Sequence, residues 1–221
     1  MANIATIRNT VAPSLPIAMT DYSQQYTDQY SNILRLYFNQ LDNFTRALTA
    51  SNGGSALSFP HIAASDTTDQ YATANNTATL VAWDTGESLL GFTLVAGAAI
   101  AEYAGVYKIT FSLQFANTAN AIHDASVWLR VNNVDVARSA TNFSVPARKS
   151  AGVPSYVCGY SEAVFTVNAG DSIKLYWATD QAATSGGGTG IYIYADAAQV
   201  SPYARPAIPS AIGSITFVSA V

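Results

Sequence analysis

Residues 105–115 read GVYKITFSLQF. Tyr107, Ile109, Phe111, Leu113 and Phe115 fall on one side of an extended chain, and Lys108, Thr110, Ser112 and Gln114 on the other. Side chains alternate across a strand, so this period of two predicts a half-buried antiparallel strand. The period returns on either side. SVWLRV (126–131) turns Val127, Leu129 and Val131 inward, and AVFTV (163–167) turns Ala163, Phe165 and Val167 inward. SIKLYW (172–177) does so with Ile173, Leu175 and Trp177, GIYIYA (190–195) with Ile191 and Ile193, and SITFV (214–218) with Ile215 and Phe217. Weaker strands are expected near ATLVAW (78–83) and LLGFTLV (89–95). NNVD (132–135), NAGD (168–171) and SGGGTG (185–190) supply turns between them. The whole of residues 67–221 reads as eight to ten short strands with no helix, hence a β-sandwich or barrel.

Upstream the character changes. Residues 1–20 hold one charge, Arg8, and two prolines, Pro13 and Pro16, with no period of either kind. Such a segment makes no core of its own and is either disordered or an extended arm laid on another chain. Residues 21–50 read as a helix. Thr20 or Asp21 can cap it, Asp21 with Gln24 fits a capping box, and Gly53 and Gly54 stop it. Leu34, Leu41 and Leu48 repeat every seven residues, with Tyr30, Tyr37 and Phe44 at the interleaved positions. That is a coiled-coil stripe of about three heptads. An isolated helix this short is marginal in water, so the stripe packs on the chain's own β domain or on other copies. The bulky aromatics favour a three-stranded bundle. Residues 51–66, rich in Ser, Gly and Ala, read as a linker before the β domain at 67–221.

Composition narrows the function. Ten basic and fourteen acidic residues among 221 give a net charge of −4 and 11% charged residues. A hydrophobic share of 49% excludes a disordered chain, and the lack of a basic run excludes a nucleic-acid partner. No apolar run is long enough to span a membrane, so no membrane partner is expected. MANIATIRNT lacks a basic and apolar leader. The one cysteine, Cys158 in SYVCGY, reads as a small buried hydrophobe. Chemistry is sparse. The only histidines, His61 and His123, have no nucleophile motif near them, and the glycine loop lacks the lysine and helix of a phosphate cradle. No catalytic residue, metal or cofactor is expected. What stands out is outward-facing bulk. Trp128, Tyr176, Tyr192 and Tyr194 sit where a solvated face would carry charge, which marks a binding or subunit surface.

AGVYKITFSLQF (104–115), SVWLRVNNVDV (126–136), AVFTVNAGDSIKLYW (163–177), GIYIYA (190–195) and a closing hydrophobic strand recur in this order. Over about residues 75–221 this resembles the jelly roll of the tumour necrosis factor and complement globular-head superfamily. The resemblance implies a tight trimer with outward aromatics along the three-fold axis, Tyr192 and Tyr194 lying on the equivalent strand. The ending YARPAIPSAIGSITFVSAV (203–221) is similar to that of virion proteins of tailed bacteriophages. A short helix and arm before such a domain also look like phage fibre, knob and decoration proteins. The sequence is therefore expected to encode a non-enzymatic, mainly β, homotrimeric virion protein, with Tyr30, Leu34, Tyr37, Leu41, Phe44, Leu48, Trp128, Tyr176, Tyr192 and Tyr194 between subunits. Its partners would be its own copies and other capsid or tail proteins. The alternative is a fibre tip whose outer loops bind a host receptor or surface glycan.

Overall fold

The computed structural model describes residues 13–17, 20–49 and 59–221. The chain forms two units, residues 1–58 and 59–221. Only part of the expected arm, and neither residues 51–58 of the expected linker nor the Leu48 side chain, falls within the described residues.

The first unit contains one helix, α1 (Gln24–Thr49). Its cap is Ser23 rather than Thr20 or Asp21. The Ser23 hydroxyl accepts from the Tyr26 amide at 3.3 Å, and the Ser23 carbonyl accepts from the Thr27 amide at 3.1 Å. A cap must lie three residues before the amide it satisfies, and only Ser23 has that spacing here. Tyr26 and Tyr30 stack one turn apart at 6.2 Å, and the Tyr26 hydroxyl donates to the Pro16 carbonyl at 3.3 Å. Residues near Pro16 therefore fold back on the helix's first turns. Tyr30, Leu34, Tyr37, Leu41 and Phe44 are all half-buried along one stripe, whereas Leu36 and Phe38, off the stripe, are exposed.

The second unit contains fourteen strand segments among the described residues: β1 (His61–Asp66), β2 (Gln70–Tyr71), β3 (Thr79–Leu80), β4 (Thr85–Leu90), β5 (Phe92–Val95), β6 (Ala98–Ala101), β7 (Gly105–Asn117), β8 (His123–Val131), β9 (Val134–Asp135), β10 (Thr141–Val145), β11 (Ser155–Val167), β12 (Ser172–Thr179), β13 (Ile191–Ile193) and β14 (Ala211–Ser219). They outnumber the expected eight to ten because β2, β3 and β9 are two-residue pieces that pair without a periodic apolar signal. β1 occupies the end of the stretch read as linker. Its HIAASD holds one large apolar side chain, Ile62, so little period is visible; pairing with β14 on one edge and β4 on the other makes it a strand.

All strand pairs are antiparallel, in two sheets. β7 is the axis of the first. β11 pairs along its full length, from Gly105↔Val167 to Asn117↔Ser155, while β14 and β13 lie end to end on its other edge, followed by β1 and β4. The second sheet runs β10-β8-β12-β6-β5, with β9 beside β8 and β3 beside β12. The first strand thus lies against the last, and consecutive strands cross between sheets, which makes a jelly-roll sandwich. Tyr107, Ile109, Leu113 and Phe115 from one sheet meet Leu129, Ile173, Leu175 and Trp177 from the other, all essentially inaccessible to solvent. The expected inward sets on β7, β12 and β13 are those observed. Val131, Ala163 and Phe217 are only partly buried, at the rim of the core.

Two ends can be told apart. At one, the chain joins the sandwich beside its last strand: the Phe217 amide donates to the Pro60 carbonyl at 3.0 Å and Phe59 stacks on Phe217 at 6.4 Å. At the other, the 117–125 loop and the glycine loop meet, the Thr118 amide donating to the Gly190 carbonyl at 3.0 Å. The 13 residues of β7 set these ends about 40 Å apart.

Candidate functional site

The outer face of the first sheet follows from the alternation on β7 and β11. Because Ser155, Gly159, Phe165 and Val167 point inward, Tyr156, Cys158, Tyr160, Glu162 and Val164 point out. Cys158 is therefore exposed, not the buried hydrophobe expected, and its sulfur sits 3.2 Å from the Ser112 hydroxyl across the strand pair. The inward phase of AVFTV (163–167) runs back through the same strand and turns Cys158 outward, but apolar groups on both faces of SYVCGY hide it there. β14 adds Ile212 and Val218 to the same face. Tyr156, Tyr160, Val164, Ile212 and Val218 are between 44% and 61% exposed. A shallow depression of about 150 Å³ lies between Tyr160 and Ile212, floored by Thr110, Ser112 and Ser214. The charged groups on this face neutralise each other, Lys108 and Glu162 pairing at 2.6 Å, and Thr110 bonds Ser214 at 2.7 Å.

Tyrosines close one end of this face. Tyr192 and Tyr194 alternate with the buried Ile191 and Ile193 and so stand outward. Tyr71 stacks on Tyr192 at 5.2 Å, Tyr192 meets Tyr194 edge-on at 6.1 Å, and Tyr194 meets Tyr156 at 4.9 Å. Beneath them Ala116, paired with both Tyr156 and Tyr192, is fully covered. Burial, then the nearby Asp69 carboxylate, pushes the Tyr192 phenol up to about 12. Tyr194 is raised too, first by burial and then by its hydrogen bond with Asp196. Tyr192 and Tyr194 are thus uncharged at neutral pH and able to pack.

Trp128 and Tyr176 lie elsewhere. They are cross-strand partners on β8 and β12, on the outer face of the second sheet, with rings 6.3 Å apart. Arg130 lies over Tyr176 at 4.2 Å, and Asp135 accepts from both the Trp128 indole at 2.7 Å and Arg130 at 2.5 Å. The hydrogen bonds from Arg130 and then Trp128 hold the Asp135 carboxyl below its ordinary range. The expected interface residues thus divide into two groups, Trp128 and Tyr176 on the outer face of the second sheet and Tyr192 and Tyr194 on that of the first. The alternation within each strand was legible; which sheet each strand joins was not.

The histidines are held structurally. His61 bonds the Phe59 carbonyl at 2.8 Å and the Ser88 hydroxyl at 2.9 Å, with a carbonyl where a nucleophilic triad needs a carboxylate. His123 bonds Asp180 at 2.9 Å. Asp180 also accepts from the Asp124 amide, and Asp196 pairs with Arg205. Among the described residues no group of three or more potential ligands could hold a metal, and no helix is long and apolar enough to cross a membrane.

A crevice of about 230 Å³ opens at the end remote from the point where the chain joins the sandwich, between the glycine loop and the β10–β11 connection. The sequence pattern offered no sign of it, because its walls come from loops about 30 and 70 residues apart in sequence from Thr118.

No protein-family model and no curated protein matches this chain. Among solved structures, the chain is similar to the Eiger TNF of S. frugiperda, with 12% identity, a TM-score of 0.45, and coverage of 74% of this chain and 95% of that one. It is also similar to murine APRIL, with 14% identity, a TM-score of 0.45, and coverage of 72% and 100%. The globular domain of zebrafish complement 1qA gives 14% identity, a TM-score of 0.42, and coverage of 74% and 100%.

Proposed function

We propose that this chain is a non-enzymatic homotrimeric virion protein of a tailed bacteriophage, a head decoration, knob or short fibre, anchored by its N-terminal arm and helix. The observation that carries the assembly is the outer face of β11, β7 and β14. Tyr156, Tyr160, Val164, Ile212 and Val218 lie on one sheet face, next to the tyrosine cluster, and its one ion pair is internal. Contiguous apolar surface of this kind is characteristic of a subunit interface. Tyr192 and Tyr194 belong to that face; Trp128 and Tyr176 lie on the opposite one, and a cyclic trimer joins two different faces of each copy. The half-buried stripe Tyr30, Leu34, Tyr37, Leu41 and Phe44, continued in sequence by Leu48, supports a helical bundle as the second site of association. The virion assignment rests on the resemblance of the ending, YARPAIPSAIGSITFVSAV. Light scattering on the purified chain should give about three times 23.3 kDa, and Tyr160→Asp with Ile212→Asp should reduce it to one. A monomeric wild type at micromolar concentration defeats the reading. Labelled antibody on intact particles tests the virion assignment.

A second reading, a receptor- or glycan-binding tip, is favoured by one observation, the crevice at the far end of the sandwich. A glycan array probed with the assembled protein separates the two.

A further inference from the structure

The crevice is bounded by Thr118, Arg148, Val153, Pro154, Gly187 and Thr189. Its cation is Arg148. Arg148 is half-buried, and its guanidinium makes a single 3.5 Å hydrogen bond, to the Thr118 carbonyl, among the described residues. Lys108, Arg130 and Arg205 each pair with a carboxylate and Arg148 does not, in a protein with an acidic surplus. Lys149, next to it, lies 5.3 Å over the Tyr156 ring and likewise has no carboxylate in the described residues.

The walls are preformed. The Thr118 hydroxyl accepts from the Gly190 amide at 3.0 Å, and the Arg148 amide donates to the Ala119 carbonyl at 2.8 Å, so both loops are tied to the end of β7. A turn holds the other wall, with the Val153 amide donating to the Ser150 carbonyl at 3.0 Å. Gly152, Gly186 and Gly187 have positive φ, and a Cβ at any of them would meet nothing within 4 Å. The glycine loop is therefore required by conformation and leaves bare backbone along the crevice. A preformed site loses little entropy on binding.

We infer that this crevice binds a carboxylate-bearing sugar, such as a uronic or sialic acid residue of a surface polysaccharide. The guanidinium fork of Arg148 matches a carboxylate in plane, Thr189 and the glycine backbone face sugar hydroxyls, and Val153 with Pro154 offers an apolar wall to the C–H face. At about 230 Å³ the site is smaller than the usual range for drug-sized ligands, about 300–1,000 Å³, and suits one sugar unit. It lies within one chain, so it does not depend on the trimer.

The test is titration calorimetry of the full chain with the methyl glycosides of glucuronic acid and N-acetylneuraminic acid, against those of glucose and N-acetylglucosamine. The acidic glycosides should bind and the neutral ones should not. Arg148→Gln should weaken binding about ten- to hundredfold, the loss expected for a charged hydrogen-bonded pair. Arg148→Lys, which keeps the charge and loses the fork, should fall between. Lys174→Gln, at the NNVD end of the second sheet, should leave binding unchanged. Equal binding of neutral sugars, full binding by Arg148→Gln, or no acidic sugar bound at millimolar concentration overturns the site. Light scattering on the same samples reports the trimer separately.

Discussion

Tyr192 and Tyr194 show how a side chain's surroundings become a pH dependence. Burial comes first in raising both phenols, with Asp69 next for Tyr192 and Asp196 for Tyr194. In the unfolded chain they would titrate near 10.0. A raised folded value means that the native state holds the proton more tightly. The contribution is whole below pH 10.0 and is lost as pH climbs toward about 12. The melting temperature should therefore fall over that window, and fall less in Tyr192→Phe with Tyr194→Phe. Equal slopes in the two proteins would contradict this account. Gly213 shows a different constraint. A Cβ there would lie 2.5 Å from the Trp83 ring, which is fully buried. Gly213→Ala should cost about 1–3 kcal/mol in denaturant melts, because a packed indole has nowhere to move.

Within elements, phase decides function. On β7 large apolar residues occupy one face only, so its orientation was legible from eleven residues. On β11 the inward positions include Ser155, Gly159 and Ser161, and the outward ones include Tyr156, Tyr160 and Val164. Its inward phase was legible at Phe165 and Val167, but in its first half the bulkier residues are turned away from the core. Cys158 offers a direct probe. Its thiol should react slowly with maleimide in the assembled protein and rapidly in the Tyr160→Asp, Ile212→Asp variant. Equal rates would remove β11 from the interface. For α1, Leu34→Asp with Leu41→Asp should weaken assembly or attachment to the particle, measured by light scattering and by incorporation. Ser23→Ala should cost about 1 kcal/mol of helix stability, a cap's usual contribution.

The whole β unit is polar in the sense of having unlike ends. Phe59 and Pro60 join it beside Phe217, and the loops that carry Arg148 lie at the far end of β7. Removing residues 1–20 should leave the β unit folded and abolish incorporation into particles; normal incorporation would mean that the arm is not the anchor. The face of β11, β7 and β14 and the cluster of Trp128, Tyr176, Arg130 and Asp135 occupy the two opposite broad faces of the sandwich.

Alternation of apolar and polar side chains was enough to declare a β-sandwich, its inward residues and a separate heptad helix, because those patterns are local consequences of backbone geometry. Which sheet each strand joins, that Trp128 and Tyr192 look in opposite directions, that β1 begins at His61, and that Arg148 comes to stand between two glycine-bearing loops all depend on contacts between residues far apart in the chain. Strand pairing is chosen by the energy of the entire packed core, and no short window of sequence contains that energy.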